Sequence, residues 1–152
     1  MDSKKFCSSD MAKVIVPLHC HSGCDFTSGF YGYGKITVMK QQQKATNSNA
    51  VGEKLPITSE ITKNLEQFMM KIIYAENFAE ARANKWSQMK KNKKTQRLPP
   101  DEDSLDQHAA RVNYIAYMYN HYYLRDAPAS PLLHGYKLEN SKYKNSKVKT
   151  CY

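Results

Sequence analysis

The sequence predicts a mainly α protein of four or five helices with little or no sheet, ending in a disordered basic tail. Three observations carry that expectation. Two long segments repeat apolar residues at three- and four-residue steps, the period of an amphipathic helix. Glycine and proline clusters punctuate the chain between them. The 152 residues are 41% hydrophobic, enough for one domain with a core of its own. The organisation read from these signals is a flexible stretch over 1–9, one helical domain over 10–138 and a disordered tail over 139–152.

Residues 10–20 (DMAKVIVPLHC) form the first apolar stretch, which Pro17 is expected to end or kink. Gly23, Gly29, Gly32 and Gly34 then place four of the chain's six glycines in a short run, a mark of tight turns or of close backbone approach. Lys35 to Lys44 continues as a helix with Ile36, Met39 and Lys40 on one side, and 44–52 is a polar loop. From Thr58, Ile61, Leu65, Phe68, Met69, Ile72 and Ile73 draw a single stripe. Another helix runs from Phe78 to about Lys91 and carries Phe78, Ala81, Trp86 and Met89 among basic residues.

Pro99 and Pro100 stop that element, and Asp101 to Ser104 supply capping side chains for the next, where Ser104 with Gln107 fits a capping box. Leu105, Ala109, Val112, Ala116, Tyr119 and Tyr123 define a long amphipathic helix expected to end near Arg125. Beyond it, Pro128 and Pro131 enforce extended backbone, Tyr136–Leu138 is a short strand or none, and the tail from Asn140 has almost no apolar content.

Lys and Arg number 23 against 14 Asp and Glu, a formal charge of +9. The excess sits in two blocks. Residues 80–97 set Arg82, Lys85, Lys90, Lys91, Lys93, Lys94 and Arg97 against Glu80, and residues 136–152 set five lysines against Glu139. Such blocks favour polyanions as partners, DNA or RNA in particular, although a lysine run is also an ordinary solvated linker or import signal. No window is apolar enough to span a bilayer and no signal-peptide core is present, so the expected setting is intracellular, nucleus or cytoplasm, with no membrane partner. Cys7, Cys20, Cys24 and Cys151 are read as reduced thiols.

Reactive side chains are densest in Leu18-His19-Cys20-His21-Ser22-Gly23-Cys24-Asp25. The ligand types suit zinc but the spacing does not, since no second Cys/His pair lies nearby and His108, His121 and His134 stand isolated in sequence. Buried thiols and turn histidines are the plainer reading. The run Tyr114, Tyr117, Tyr119, Tyr122 and Tyr123 admits base stacking, yet at helical spacing core packing is favoured, with Tyr119 and Tyr123 on the packing stripe.

Two separated blocks resemble a known group. Leu18, His19, Gly23, Cys24, Asp25, Thr27, Ser28, Phe30, Gly32, Gly34, Lys35 and Lys40 fit the pattern LHxxTGCDxTSxFxGxGKxxxxK. Leu98, Pro99, Pro100, Asp103, Leu105, His108, Arg111, Asn113 and Tyr114 fit LPPxxDxLxxHxxRxNY, followed by Pro128, Ser130, Pro131, His134 and Gly135, with Tyr136 where the group usually has Trp. This is similar to the C-terminal portion of uncharacterised animal proteins associated with mobile elements and related to the PIN-like and flap-endonuclease superfamily.

The resemblance implies that Asp25 is one of several carboxylates holding Mg2+ or Mn2+. It also implies that the turn at Gly32 and Gly34, with Lys35, faces a nucleic-acid phosphate. A lone Asp25 is otherwise an ordinary turn or cap residue. Because the group's upstream acidic strand has no counterpart here, the resemblance implies a truncated nuclease relative, catalytically inactive alone. A metal ion enters only if a partner supplies further carboxylates, and nucleic acid is bound weakly through Lys35, Lys90, Lys91, Lys93, Lys94 and the tail. The alternative is a helical interaction module or mobile-element remnant, which meets a protein partner through apolar surface that the missing sheet once covered.

Overall fold

The computed structural model describes residues 9–42, 50–89, 95–123 and 129–145. The fold is mainly helical, with five α-helices among the described residues: α1 Ser9–His21, α2 Lys35–Gln42, α3 Ser59–Ile73, α4 Phe78–Gln88 and α5 Glu102–Asn120. One short antiparallel hairpin follows, β1 Tyr136–Glu139 paired with β2 Lys142–Asn145.

α3 forms where its stripe predicts. Thr58 is its N-cap, accepting from the Ile61 N–H at 3.3 Å, and Ile61, Leu65, Phe68, Met69 and Ile72 are buried along one face. It stops at Tyr74, whose left-handed φ of 53° turns the chain out while the Ala75 N–H returns to the Met70 carbonyl. α5 starts at an Asp101 cap that accepts from the Ser104 N–H at 2.8 Å, so Ser104 lies inside the first turn and the capping role is Asp101's. Burial acts to raise the Asp101 carboxyl, but the hydrogen bonds from Ser104 outweigh it and hold the group below its ordinary range.

α1 runs through Pro17 to His21 instead of breaking there. A proline inside a helix costs about 3 kcal/mol. Val14 and Leu18, at 6% and 4% exposure, each return about 1.5–3 kcal/mol on burial against the neighbouring helices, which is enough to carry the helix across it. α1 packs on α5 and α2, with Cys20 wholly buried.

Two apolar clusters make the core. One gathers Cys20, Val51, Ile61 and Leu65 around Ala109 to Ala116 of α5, and the other gathers Val14, Leu18, Val38, Phe68, Met69, Ile72 and Phe78 around Leu105. In α2 the inward residue is Val38, while Ile36 is 71% exposed. The helix is rotated from the expected face because Lys35, at its start, is tied back to the end of α1. Only Phe78 of α4 is buried and Trp86 lies open; the helix ends at Gln88, short of Lys91.

α5 closes at Asn120, short of Arg125, where the His121 N–H bonds the Tyr117 carbonyl at 2.9 Å. The expected tyrosine stripe is corrected as well. Tyr114 is core, 7% exposed with its hydroxyl on the Ala129 carbonyl, whereas Tyr119, Tyr122 and Tyr123 face outward. Of the tail expected to be disordered over 139–152, residues 139–145 instead form the end of β1, a turn and β2, because Tyr136 anchors β1 against Tyr114 in the core. Residues 1–8 and 146–152, and with them Cys7, Cys151 and the end of the tail, lie outside the described residues.

Candidate functional site

The first sequence block folds into a loop that leaves the C-terminus of α1 and enters α2. Thr27, almost fully buried, donates its hydroxyl to the Cys20 carbonyl at 2.5 Å, and the Cys24 N–H bonds the Thr27 carbonyl at 2.9 Å. Gly23 has a φ of +103°, and a Cβ there would lie 2.7 Å from the Gly29 nitrogen, so the two glycines let the loop's ends cross backbone to backbone. Gly32 has a φ of +85° in the tight turn closed by the Tyr33 N–H on the Phe30 carbonyl. Gly34 has neither constraint and opens onto free space.

Lys35 does not stand free at this turn. Its ammonium donates to the Gly23 carbonyl at 2.5 Å and lies 3.2 Å from His19 Nδ1 and 3.5 Å from Ser22 Oγ. A cation at a helix N-terminus opposes the macrodipole; here it is turned onto the carbonyl-rich end of α1. His19, Gly23 and Lys35 border an open depression of about 460 Å³ that also takes in Asp25, Ser28 and Tyr119. Asp25 is exposed on its rim.

Among the described residues, no three His, Cys, Asp or Glu side chains gather closely enough to hold a metal ion. The other side chains that share the depression with Asp25 and could act as ligands or carry charge are those of His19, Cys24 and Lys35, none of them a carboxylate, so this donor set does not fit a hard divalent ion, which seeks several oxygens. Cys20 and Cys24 are free thiols, and burial, reinforced by Cys24, pushes Cys20 up to about 12, which keeps it a protonated core residue.

The second block serves α5 as a frame onto which other segments are bonded. Asn113, wholly buried, accepts from the Gly52 N–H and donates to the Lys54 carbonyl, both at 2.8 Å, holding the 50–57 loop. Arg111, 6% exposed, donates to the Gly135 carbonyl at 3.1 Å. Tyr114 stacks on His134 with centroids 5.1 Å apart, and Tyr136 donates its hydroxyl to the Phe26 carbonyl at 2.9 Å. Burial raises the Tyr136 phenol to about 12, so it stays a donor. Gly135, φ +80°, lies directly on α5: a Cβ would stand 2.5 Å from the Gln107 carbonyl oxygen.

The two blocks meet at a pair of histidines that stand far apart in the sequence. His108 Nε2 faces the His21 carbonyl at 3.2 Å, and the rings are 5.2 Å apart. Phe30 closes edge-on over His108 at 4.6 Å, and Phe68 packs beside His21 at 5.5 Å. His21 is 1% exposed with neither ring nitrogen hydrogen-bonded, and burial drives it down to about 4. His108 is also held well below its ordinary value, by burial first and then by His21 and Arg111. Sequence reasoning missed the pair, although a signal exists: His21 follows Leu18 by three residues, and His108 stands between Leu105 and Val112 on the same helical face.

One contact ties the glycine turn to the basic block. The Arg97 guanidinium lies 5.4 Å from the centroid of the Tyr31 ring, which the turn holds 59% exposed. Arg97 stands three residues after Lys94 in the sequence; Lys90, Lys91, Lys93 and Lys94 themselves lie outside the described residues. Among the described residues, no helix is long and apolar enough to cross a membrane.

Compared with protein-family models, with curated proteins and with solved structures, the chain matches none.

Proposed function

We propose that this chain is a PIN-like nuclease relative that does no phosphodiester chemistry alone and binds nucleic acid weakly and without sequence preference. The observation that carries the reading is the concentration of positive charge at 80–97, whose last residue, Arg97, rests on the exposed Tyr31 ring. An arginine on an open aromatic face beside a lysine run suits a polyanion with stackable bases, and phosphate contacts from lysines need no fixed register. Lys35 takes a smaller part, since its ammonium is engaged within the loop. The motif residues His108, Arg111, Asn113 and Tyr114 are read as the frame that fastens the end of α1, the 50–57 loop and the 129–135 segment to α5, not as chemistry.

The test pairs binding with cleavage. Labelled single- and double-stranded DNA and RNA should bind at low salt and release as salt rises. With Mg2+ or Mn2+ the wild type and Asp25→Ala should show the same background cleavage. Cleavage abolished by Asp25→Ala would overturn the inactive reading, and absence of binding at low salt would overturn the nucleic-acid reading.

A second reading, a helical interaction module, draws on the apolar side chains left outside the core: Leu133 is 95% exposed and Leu138 and Tyr143 more than half.

A further inference from the structure

The terminal hairpin is two-faced. Successive strand residues alternate sides, so Tyr136, Leu138 and Tyr143 share one face and Lys137, Glu139, Lys142 and Lys144 the other. Tyr136 seats the first face against the core, but Leu138 and Tyr143, directly opposite each other in the register, overhang it at 56% and 55% exposure. On the second face Lys137 and Lys144 are paired across the strands, a like-charge opposition, and Glu139 divides itself between them at 3.0 and 3.5 Å. The hairpin is thus short of acid on one side and of apolar cover on the other.

Its two edges differ. β1 begins with its outer edge bridged to Leu132, while the edge of β2 that faces away from β1 has no strand beside it among the described residues. A two-stranded ribbon is marginal in water and gains from a third strand. Charge decides which strand fits. A second copy pairing β2 against β2 would set Lys142 and Lys144 against the same lysines, the usual defence of an exposed edge. An incoming strand of alternating acidic and apolar residues would place carboxylates beside Lys142 and Lys144 and an apolar side chain beside Tyr143.

We propose that β2 is a docking edge for an extended protein segment of alternating acidic and apolar residues, bound as a third strand of the hairpin. The proposal is independent of the nucleic-acid reading and supplies the interaction-module reading with a partner chemistry.

The experiment is fluorescence anisotropy of the full chain with a labelled octapeptide of alternating Glu and Val, beside Glu–Ser and Lys–Val versions. Glu–Val should bind, the two controls about tenfold more weakly or worse, and the double variant Lys142→Glu, Lys144→Glu should lose about tenfold. Bound peptide should protect the amides of 142–145 from hydrogen exchange. Replacing Lys90, Lys91, Lys93 and Lys94 by Ala should leave peptide affinity unchanged, which separates this edge from the nucleic-acid face. The proposal fails if Glu–Ser binds as well as Glu–Val, if the double variant retains full affinity, or if Glu–Val does not bind. Both exchanged lysines are exposed, so the helical core survives the double variant, and unchanged circular dichroism verifies it.

Discussion

The His21–His108 pair makes stability fall on mild acidification, by an amount that can be worked out. Burial lowers His21 from an ordinary 6.5 to about 4 in the folded chain. A base whose folded pKa is depressed has no effect above 6.5, where both states are neutral. Between 6.5 and 4 the unfolded chain takes up a proton that the folded chain refuses, and stability drops with falling pH until the folded form titrates too. The full loss is about 3 kcal/mol, and about 2 kcal/mol of it is gone by pH 5.

His108 is shifted in the same direction and steepens the decline, whereas Glu66, raised by burial and by Asp106 and Glu102, works mildly against it. The perturbation is His21→Leu. Because neither ring nitrogen of His21 has a partner, removing them leaves nothing unpaired and relieves the desolvation of two polar atoms. Urea unfolding followed by far-UV circular dichroism at pH 7 and pH 5 should show the variant at least as stable as wild type at pH 7, with a visibly flatter pH dependence. A variant that is more than about 2 kcal/mol weaker at pH 7, with the pH dependence intact, would refute the reasoning, because the ring would then be supplying hydrogen bonds.

Three glycines that look alike in sequence should separate by cost. Gly135→Ala combines a positive φ with a Cβ 2.5 Å from a backbone oxygen of α5 and should destabilise by about 2–4 kcal/mol in urea melts. Gly32→Ala meets open space and carries only the strain of its φ, about 1 kcal/mol, and Gly34→Ala should be neutral or slightly stabilising. Asn113→Ala removes both bonds to the 50–57 loop and strands the Gly52 N–H, so it should cost about 2–4 kcal/mol by the same melts, with exchange protection falling first at Gly52.

The helices were legible because their signals are local. The stripe from Ile61 to Ile72 and the acidic start before Leu105 each place the start of an element within a residue or two. What misled was whatever depends on tertiary packing. Pro17 reads as a breaker until Val14 and Leu18 are seen buried on both sides of it, and Ile36 reads as inward until Lys35 fixes the rotation of α2. The tail composition hid β2, which is held through β1, where Tyr136 packs on Tyr114, residues far from it in pattern. In the candidate site, the glycines and Lys35 were visible by type. Their partners were not, since the Lys35 ammonium lies on a carbonyl and an imidazole twelve and sixteen residues earlier in the chain. His21 and His108 are 87 residues apart, and only the crossing of α1 on α5 joins them.

The nucleic-acid role of the basic block is tested most directly by the salt dependence of binding to a single-stranded oligonucleotide, for the wild type and for the chain with Lys90, Lys91, Lys93 and Lys94 replaced by Ala. If these lysines meet phosphates, the logarithm of the binding constant falls linearly with that of the salt concentration. The variant's slope is then shallower by about 0.7 for each phosphate it no longer neutralises, about 2–3 in all. Equal slopes for the two proteins, or a wild-type affinity that does not change with salt, would contradict the account.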